Sequence, residues 1–298
     1  MKQIASFIDY MRYELNYSVH TVLSYRKDLE QFCSFMWGKD NLDPALVTTA
    51  DVRRWVYNLG YWQGLSQRTI RRKVQALRAF YKFLQKRGEV EQSPVDDMPM
   101  AKLPKNLPEF VGEKKMDIVL DTEYDHTDFE SVRNHLIVAM LYETGMRRAE
   151  LMGLGDSDVD TKRCELKVHG KRNKDRIVPF CEELRTLIEE YRPLRAEVAP
   201  KWSRAFFLTK KGEPVYDKLV WAVVTQALSA VTSGKRSPHT LRHSYASVML
   251  NNGAGINSVK ELLGHESLAA TQVYTHITYS ELKNNYQHAH PRALKKGG

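Results

Sequence analysis

Cysteine is scarce here, and what there is cannot staple a fold. Cys33, Cys164 and Cys181 are odd in number, far apart and free of any CxxC spacing, so neither a disulfide framework nor a zinc site is expected and all three read as reduced, mostly structural thiols. Long apolar runs are missing too. None approaches the roughly 20 residues needed to span a bilayer, and the N-terminus opens into an amphipathic pattern rather than a signal peptide. The expectation is a soluble cytoplasmic chain with no membrane partner. There is no GxxxxGKS/T phosphate loop, no HExxH helix and no Asp-rich cluster, which argues against nucleotide-driven or metal-driven chemistry. No metal site and no cofactor are expected, and no internal repeat or low-complexity tract is visible.

Positive charge, by contrast, is in excess. The 298 residues carry 45 Lys plus Arg against 36 Asp plus Glu, a formal charge of +9. Such a balance favours polyanionic partners, nucleic acid ahead of an anionic membrane surface. The length predicts two domains. Up to about residue 88, apolar residues recur with helical spacing and define four helices. Ile4, Phe7, Ile8, Met11 and Leu15 mark the first; Val22, Tyr25, Leu29, Phe32 and Met36 the second. Thr48 to Asp51 resembles a capping box opening a third through Val52, Trp55, Val56 and Leu59. Ser66 can cap the fourth, Ile70, Val74, Leu77, Tyr81 and Leu84 line its apolar face, and Gly88 suits its end. That helix carries Arg68, Arg71, Arg72, Lys73, Arg78, Lys82, Lys86 and Arg87 with no acidic residue among them. An ordinary solvated face and a phosphate-gripping face both remain open. The absence of interspersed Glu favours phosphate contact, with Arg68, Arg71, Arg72 and Lys73 as candidates.

Pro94, Pro99, Pro104 and Pro108 then break any helix, and the boundaries read as a helical domain over 1–92, a linker over 93–109 and a second domain over 110–298. The second domain is expected to be mainly helical with a short sheet. Glu165 to Val168 and Arg176 to Phe180 read as two strands joined by a turn at Gly170 to Asp175, and Arg204 to Leu208 as a third. Four polar motifs stand out. In Thr144 to Leu151, Gly145 can end one helix and Arg147 begin the next, sharing a face with Glu150, an arrangement that by itself is more often a local ion pair. Gly170 to Arg176 is a basic turn that could be either a soluble hairpin tip or a groove-reaching one, with Lys171, Arg172 and Lys174 at its tip. His239-Thr240-Leu241-Arg242-His243 places His239 and Arg242 three residues apart on one helical face. Glu261-Leu262-Leu263-Gly264-His265 is followed nine residues later by Tyr274 within Thr271 to His276.

In this order, these residues resemble the tyrosine recombinase (phage integrase) family, the last segment looking especially like its Xer-type subgroup. Arg147, Lys171, His239, Arg242, His265 and Tyr274 fill all six positions of the family's Arg, Lys, His-x-x-Arg, His, Tyr signature. The likeness covers nearly the whole chain and is most specific in its last third. It implies a mainly α fold with a small β-sheet, in two domains: a SAM-like four-helix core-binding domain and an α+β catalytic domain ending in an interaction tail, where Ser280, Leu282 and Tyr286 could form a short helix. It implies Tyr274 as nucleophile, Lys171 as general acid, and strand exchange by four protomers through a Holliday junction. Two guanidiniums, Arg147 and Arg242, suit the phosphoryl oxygens, His265 adds a hydrogen bond, His239 is the best-placed base, and Glu150 orients Arg147 or the base. The implied partners are double-stranded DNA with a specific site, further copies of the chain or a paralogue in a tetramer, and a DNA translocase as a further candidate, with a nucleoid-associated location. A type IB topoisomerase, with similar residues but no partner exchange, and a catalytically silent DNA-binding regulator are the competing readings.

Overall fold

The structure, a computed structural model, describes residues 2–36, 43–98, 110–170, 175–264, 286, 288–290 and 292. The chain divides into two compact units, Met1–Asn106 and Leu107–Gly298.

Among the described residues, the first unit is built from four α-helices. α1 (Lys2–Asp9) runs into a π-helical turn (Tyr10–Glu14), α2 spans Val19–Met36, α3 (Thr49–Tyr57) runs into a second π-helical turn (Asn58–Trp62), and α4 spans Gln67–Lys86. Their ends are set locally. The Thr48 hydroxyl accepts from the Asp51 amide while the Asp51 carboxylate accepts from the Thr48 amide, closing the box that starts α3. Ser66 caps α4 by accepting from the Thr69 amide at 3.3 Å, and Gly88 follows its end at φ +70°. The apolar faces meet in one core. Phe7 packs against Phe80 with ring centres 5.5 Å apart, and Phe32 stands edge-on to Trp55 at 4.9 Å. Burying each such side chain is worth about 1.5–3 kcal/mol, which is what the helical spacing of these residues secures.

The same core holds one carboxylate. Asp28 on α2 is 2% exposed and receives hydrogen bonds from Arg72 and, at 2.8 Å, from Lys73 Nζ, which also donates to Gln31 Oε1 at 2.5 Å. The basic face of α4 is therefore not uniformly unneutralised. Lys73 is buried and paired, and Arg72 shares the same partner, whereas Arg68 and Arg71 are exposed. The acid that neutralises them lies on another helix, beyond the reach of a reading confined to α4. The start of the expected linker also differs, because Val95 and Met98 are buried in this unit's core and the Val95 carbonyl accepts from Arg78 at 3.1 Å. Residues 99–109, with Lys102 and Lys105, lie outside the described residues.

The second unit is organised around α6 (Phe129–Thr144), which is buried along most of its length because it carries the apolar stretch Leu136–Tyr142. α5 (Glu113–Leu120) precedes it; α7 (Arg148–Met152), α8 (Glu182–Val198), α9 (Asp217–Ser229), α10 (Pro238–Asn251) and α11 (Ile256–Leu263) follow. Between α7 and α8 lies an antiparallel sheet in the order β1 (Val159–Asp160), β2 (Glu165–His169), β3 (Asp175–Pro179), with Val168 opposite Arg176 and His169 opposite Asp175. The third strand is thus Val159–Asp160 and not Arg204 to Leu208. That segment bends at Phe206 and Phe207 and pairs with other backbone through the isolated bridges Gly155–Ala205 and Leu208–Pro214. Two of its carbonyls are taken by α8: Arg195 donates to those of Ala205 and Phe206, and the Tyr191 hydroxyl to that of Phe206. Tyr286 and Ala289, from the expected tail, pack with Tyr245, Met249, Leu262 and Leu263, and Asn252 Nδ2 donates to the Ala289 carbonyl at 2.9 Å. Ser280 and Leu282 lie outside the described residues.

Candidate active site

Gly145 ends α6 in the left-handed conformation at φ +60°, a geometry that costs glycine little. A Cβ there would lie 2.5 Å from the Tyr245 ring and 2.8 Å from Leu263, so the corner is also sterically reserved. The tight exit places Arg147 just before α7. Glu150, one turn on, folds back to accept from the Arg147 amide (2.7 Å) and from its Nη1 (2.7 Å).

Ser237 caps α10 by accepting from the Thr240 amide, and Pro238 occupies the first turn, where a missing N–H costs nothing. Helical spacing then puts His239, Arg242 and His243 along one side. Arg242 is 5% exposed and donates through Nη1 to the Gly145 carbonyl (2.7 Å) and through Nη2 to that of Leu263 (2.8 Å). His239 and His243 meet Nε2 to Nε2 at 3.1 Å.

The third wall is the carbonyl end of α11, closed by Gly264 at φ +63°. Arg176 Nε donates to the Leu262 carbonyl (2.7 Å), Arg242 Nη2 to that of Leu263, and Arg147 Nη2 to that of Gly264 (2.8 Å). Arg176 also makes a two-pronged pair with Glu150, at 3.0 and 2.8 Å. Three guanidiniums therefore share the partly negative end of a helix dipole, and two of them, Arg147 and Arg176, share the Glu150 carboxylate, leaving a local excess of positive charge.

The electrostatics follow from this crowding. Burial alone would raise the Glu150 carboxyl, but hydrogen bonds from Arg176 and Arg147 outweigh it and hold the group below the usual carboxylate range. Burial and the neighbouring Arg147 charge bring the Arg242 guanidinium down to about 10, still protonated at neutral pH. His239 is held below the ordinary imidazole range, first by partial burial and then by His243, Arg242 and Arg147, which favours its neutral form. A neutral imidazole can take a proton, and a cluster of buried guanidinium can stabilise an anion.

Of the residues expected from the sequence, the structure brings together Arg147, Glu150, His239 and Arg242. Lys171, Arg172, Lys174, His265 and Tyr274 lie outside the described residues. The strands flanking Lys171 are described, and at their turn-side end His169 bridges Asp175 (Nδ1, 2.9 Å) and Asp158 (Nε2, 3.2 Å). Arg68, Arg71, Arg72 and Lys73 belong to the first unit. Two residues in the cluster were not among those expected. His243 could have been found from its position four residues after His239. Arg176 could have been found from the alternation of β3, where it shares the inward side with buried Val178 and so requires a buried acceptor. Among the described residues, no group of three or more His, Cys, Asp or Glu is arranged to hold a metal ion, and no helix is long and apolar enough to cross a membrane.

Residues 113–281 match the Phage integrase family and residues 4–88 the Phage integrase N-terminal SAM-like domain. The chain is 38% identical to a tyrosine recombinase XerC of Bacillus pumilus, over 97% of this chain and 96% of that one. It is 35% identical to the tyrosine recombinase XerC of Chlorobaculum tepidum, over 97% and 94% respectively. Its fold is similar to the crystal structure of the XerH site-specific recombinase bound to difH substrate, with a TM-score of 0.68 and 21% identity over 91% of this chain and 80% of that one. These matches cover most of the sequence, and the chain belongs to the phage integrase family of tyrosine recombinases, enzymes that cut and rejoin DNA at specific sites.

Proposed function

We propose that this chain cleaves double-stranded DNA through a 3′-phosphotyrosyl intermediate formed by Tyr274 and resolves it by strand exchange through a Holliday junction. The observation that carries the reading is the convergence of Arg147 and Arg242 on the carbonyl end of α11, immediately before His265 in the chain. A pentacoordinate phosphorane needs positive charge around its oxygens, and rigidly held guanidinium supplies it without reorganisation. Both arginines are held by backbone carbonyls, and Arg147 also by Glu150.

In this mechanism the Tyr274 oxygen attacks phosphorus as its proton passes to neutral His239, and the bond from phosphorus to the 5′ oxygen breaks. Lys171 protonates the departing oxygen, and His265 hydrogen-bonds the phosphoryl oxygens. The phosphotyrosyl link conserves the energy of the phosphodiester, so a free 5′ hydroxyl can reverse the step without ATP. Double-stranded DNA as partner is supported by the DNA-bound relative of similar fold. The exposed Arg68 and Arg71, with half-exposed Arg72, are proposed to grip phosphates, and Arg172 and Lys174 to do so from the hairpin tip. Lys73 is withdrawn from that role by its pairing with Asp28. Four protomers, of this chain or with a paralogue, would hold two duplexes, and a DNA translocase remains a candidate partner.

The test is a denaturing gel for a covalent protein–DNA adduct, using duplexes selected by this protein from a random pool. The wild type should form the adduct, and Tyr274→Phe should bind equally well and form none. An adduct in Tyr274→Phe would rule out Tyr274. Relaxation of supercoiled plasmid lacking a selected site would point to a topoisomerase instead.

A further inference from the structure

We propose that Arg176 is a positioning residue of the recombination reaction, holding strand β3, the Arg147–Glu150 corner and the carbonyl end of α11 in one frame. The inference rests on the reading of Lys171 as general acid and Tyr274 as nucleophile.

The argument begins with what the Arg176 side chain has left to offer. Its Nε is committed to the Leu262 carbonyl, and Nη1 and Nη2 are committed to the two oxygens of Glu150. The side chain is only 12% exposed and its charge faces a carboxylate that is 6% exposed. A guanidinium so engaged is poorly placed to grip phosphate, and its influence must pass through the groups it holds. Each of those groups adjoins the chemistry. Glu150 also anchors Arg147 through amide and guanidinium. Leu262 lies three residues before His265, and Arg176 itself lies five residues after Lys171 on the strand returning from the hairpin.

The fit leaves little slack. A Cβ on Gly264 would stand 3.1 Å from Arg176 Nη1 and 3.3 Å from its Cζ. Arginine is specifically required, because a lysine ammonium is a single point on a flexible stem and cannot present a planar fork to a carboxylate while bonding a carbonyl on its other edge. In-line displacement is sensitive to such a frame: a misplacement of about 1 Å can slow a reaction on the order of 100-fold.

The experiment measures single-turnover adduct formation at saturating protein, on normal DNA and on DNA with a 5′-bridging phosphorothiolate, whose thiolate leaves without a proton. Arg176→Lys and Arg176→Gln remove the fork, and Gly264→Ala pushes on it from the other side. Thermal unfolding and binding isotherms give the folded fraction and the affinity. Expected are affinities within about threefold of wild type and cleavage slowed on the order of 100-fold on both substrates. Lys171→Ala should instead recover on the phosphorothiolate, and Arg176→Lys combined with Glu150→Gln should be no slower than the worse single variant. Wild-type cleavage by folded Arg176→Lys would overturn the proposal. So would full recovery on the phosphorothiolate, which would confine Arg176 to the hairpin lysine. An adduct in Tyr274→Phe would instead sink the underlying assignment of the nucleophile, whatever the Arg176 variants do.

Discussion

Removing the Asp28 carboxylate probes how the N-terminal unit keeps charge in its interior. Asp28 is 2% exposed; its partners Lys73 and Arg72 have side-chain exposures of 10% and 43%. At an effective dielectric of about 20, opposite charges about 4 Å apart attract by about 4 kcal/mol. Withdrawing each buried ion from water costs several kcal/mol, so the pair contributes little net stability. Asp28→Ala removes the attraction and leaves Lys73 desolvated, which should cost about 3–5 kcal/mol. Arg72 is exposed enough to turn to water and adds little. Lys73→Met leaves Asp28 with Arg72 and should cost less, about 1–3 kcal/mol. Asp28→Leu with Lys73→Met replaces the pair by apolar groups and should fall within about 1 kcal/mol of wild type or above it. The assay is urea unfolding of the whole chain followed by tryptophan fluorescence, since buried Trp55, edge-on to Phe32, reports on this unit. A loss below about 1 kcal/mol in Asp28→Ala, or a double variant as unstable as that single one, would refute the reasoning.

Three further outcomes follow from the same structure. Arg68→Ala with Arg71→Ala should flatten the plot of log affinity against log salt by about 0.9 per contact on duplex DNA, while Lys73→Met leaves the slope nearly unchanged; an equal change in both would contradict the burial of Lys73. Gly145→Ala puts a Cβ 2.5 Å from the Tyr245 ring at φ +60°, so backbone strain of about 1–3 kcal/mol and a similar overpacking cost should lower the melting temperature and slow adduct formation. A variant of wild-type stability and rate would show that the corner yields freely. Burial, and then the Arg292 charge, hold the fully buried His290 down to about 3, and burial first holds His135 down to about 4. Because the unfolded imidazoles take up protons near 6.5 and the folded ones do not, stability is full above about 6.5 and is lost as pH falls through these windows. The drop in melting temperature from pH 7 to pH 5 should shrink in His290→Phe, and a flat wild-type profile would argue against the shift.

Much of the architecture was legible because its signals are local. The capping box at Thr48, the cap at Ser66, the helical spacing of Phe7, Phe32 and Leu77, and the turn glycines at 88 and 145 act within a few residues of chain. The same locality made the two hairpin strands readable, but it misassigned the third, since Arg204 to Leu208 has the composition of a strand while α8 side chains take the carbonyls of Ala205 and Phe206. Arg147, Glu150, His239 and Arg242 could be named from short motifs.

What chain order could not convey is which charges find each other. Lys73 and Arg72 read as free until α2 brought Asp28 to them across 45 and 44 residues. Arg176 read as one more charge in a basic turn until Glu150, 26 residues away, and Leu262, 86 residues away, filled its fork. Helix periodicity and turn chemistry depend on neighbours in sequence, so the sequence by itself determined the helices, the hairpin strands and the short motifs that carry Arg147, Glu150, His239 and Arg242. Desolvation and ion pairing depend on neighbours in space, so only the tertiary structure decided which of those charges are held in place and which remain exposed.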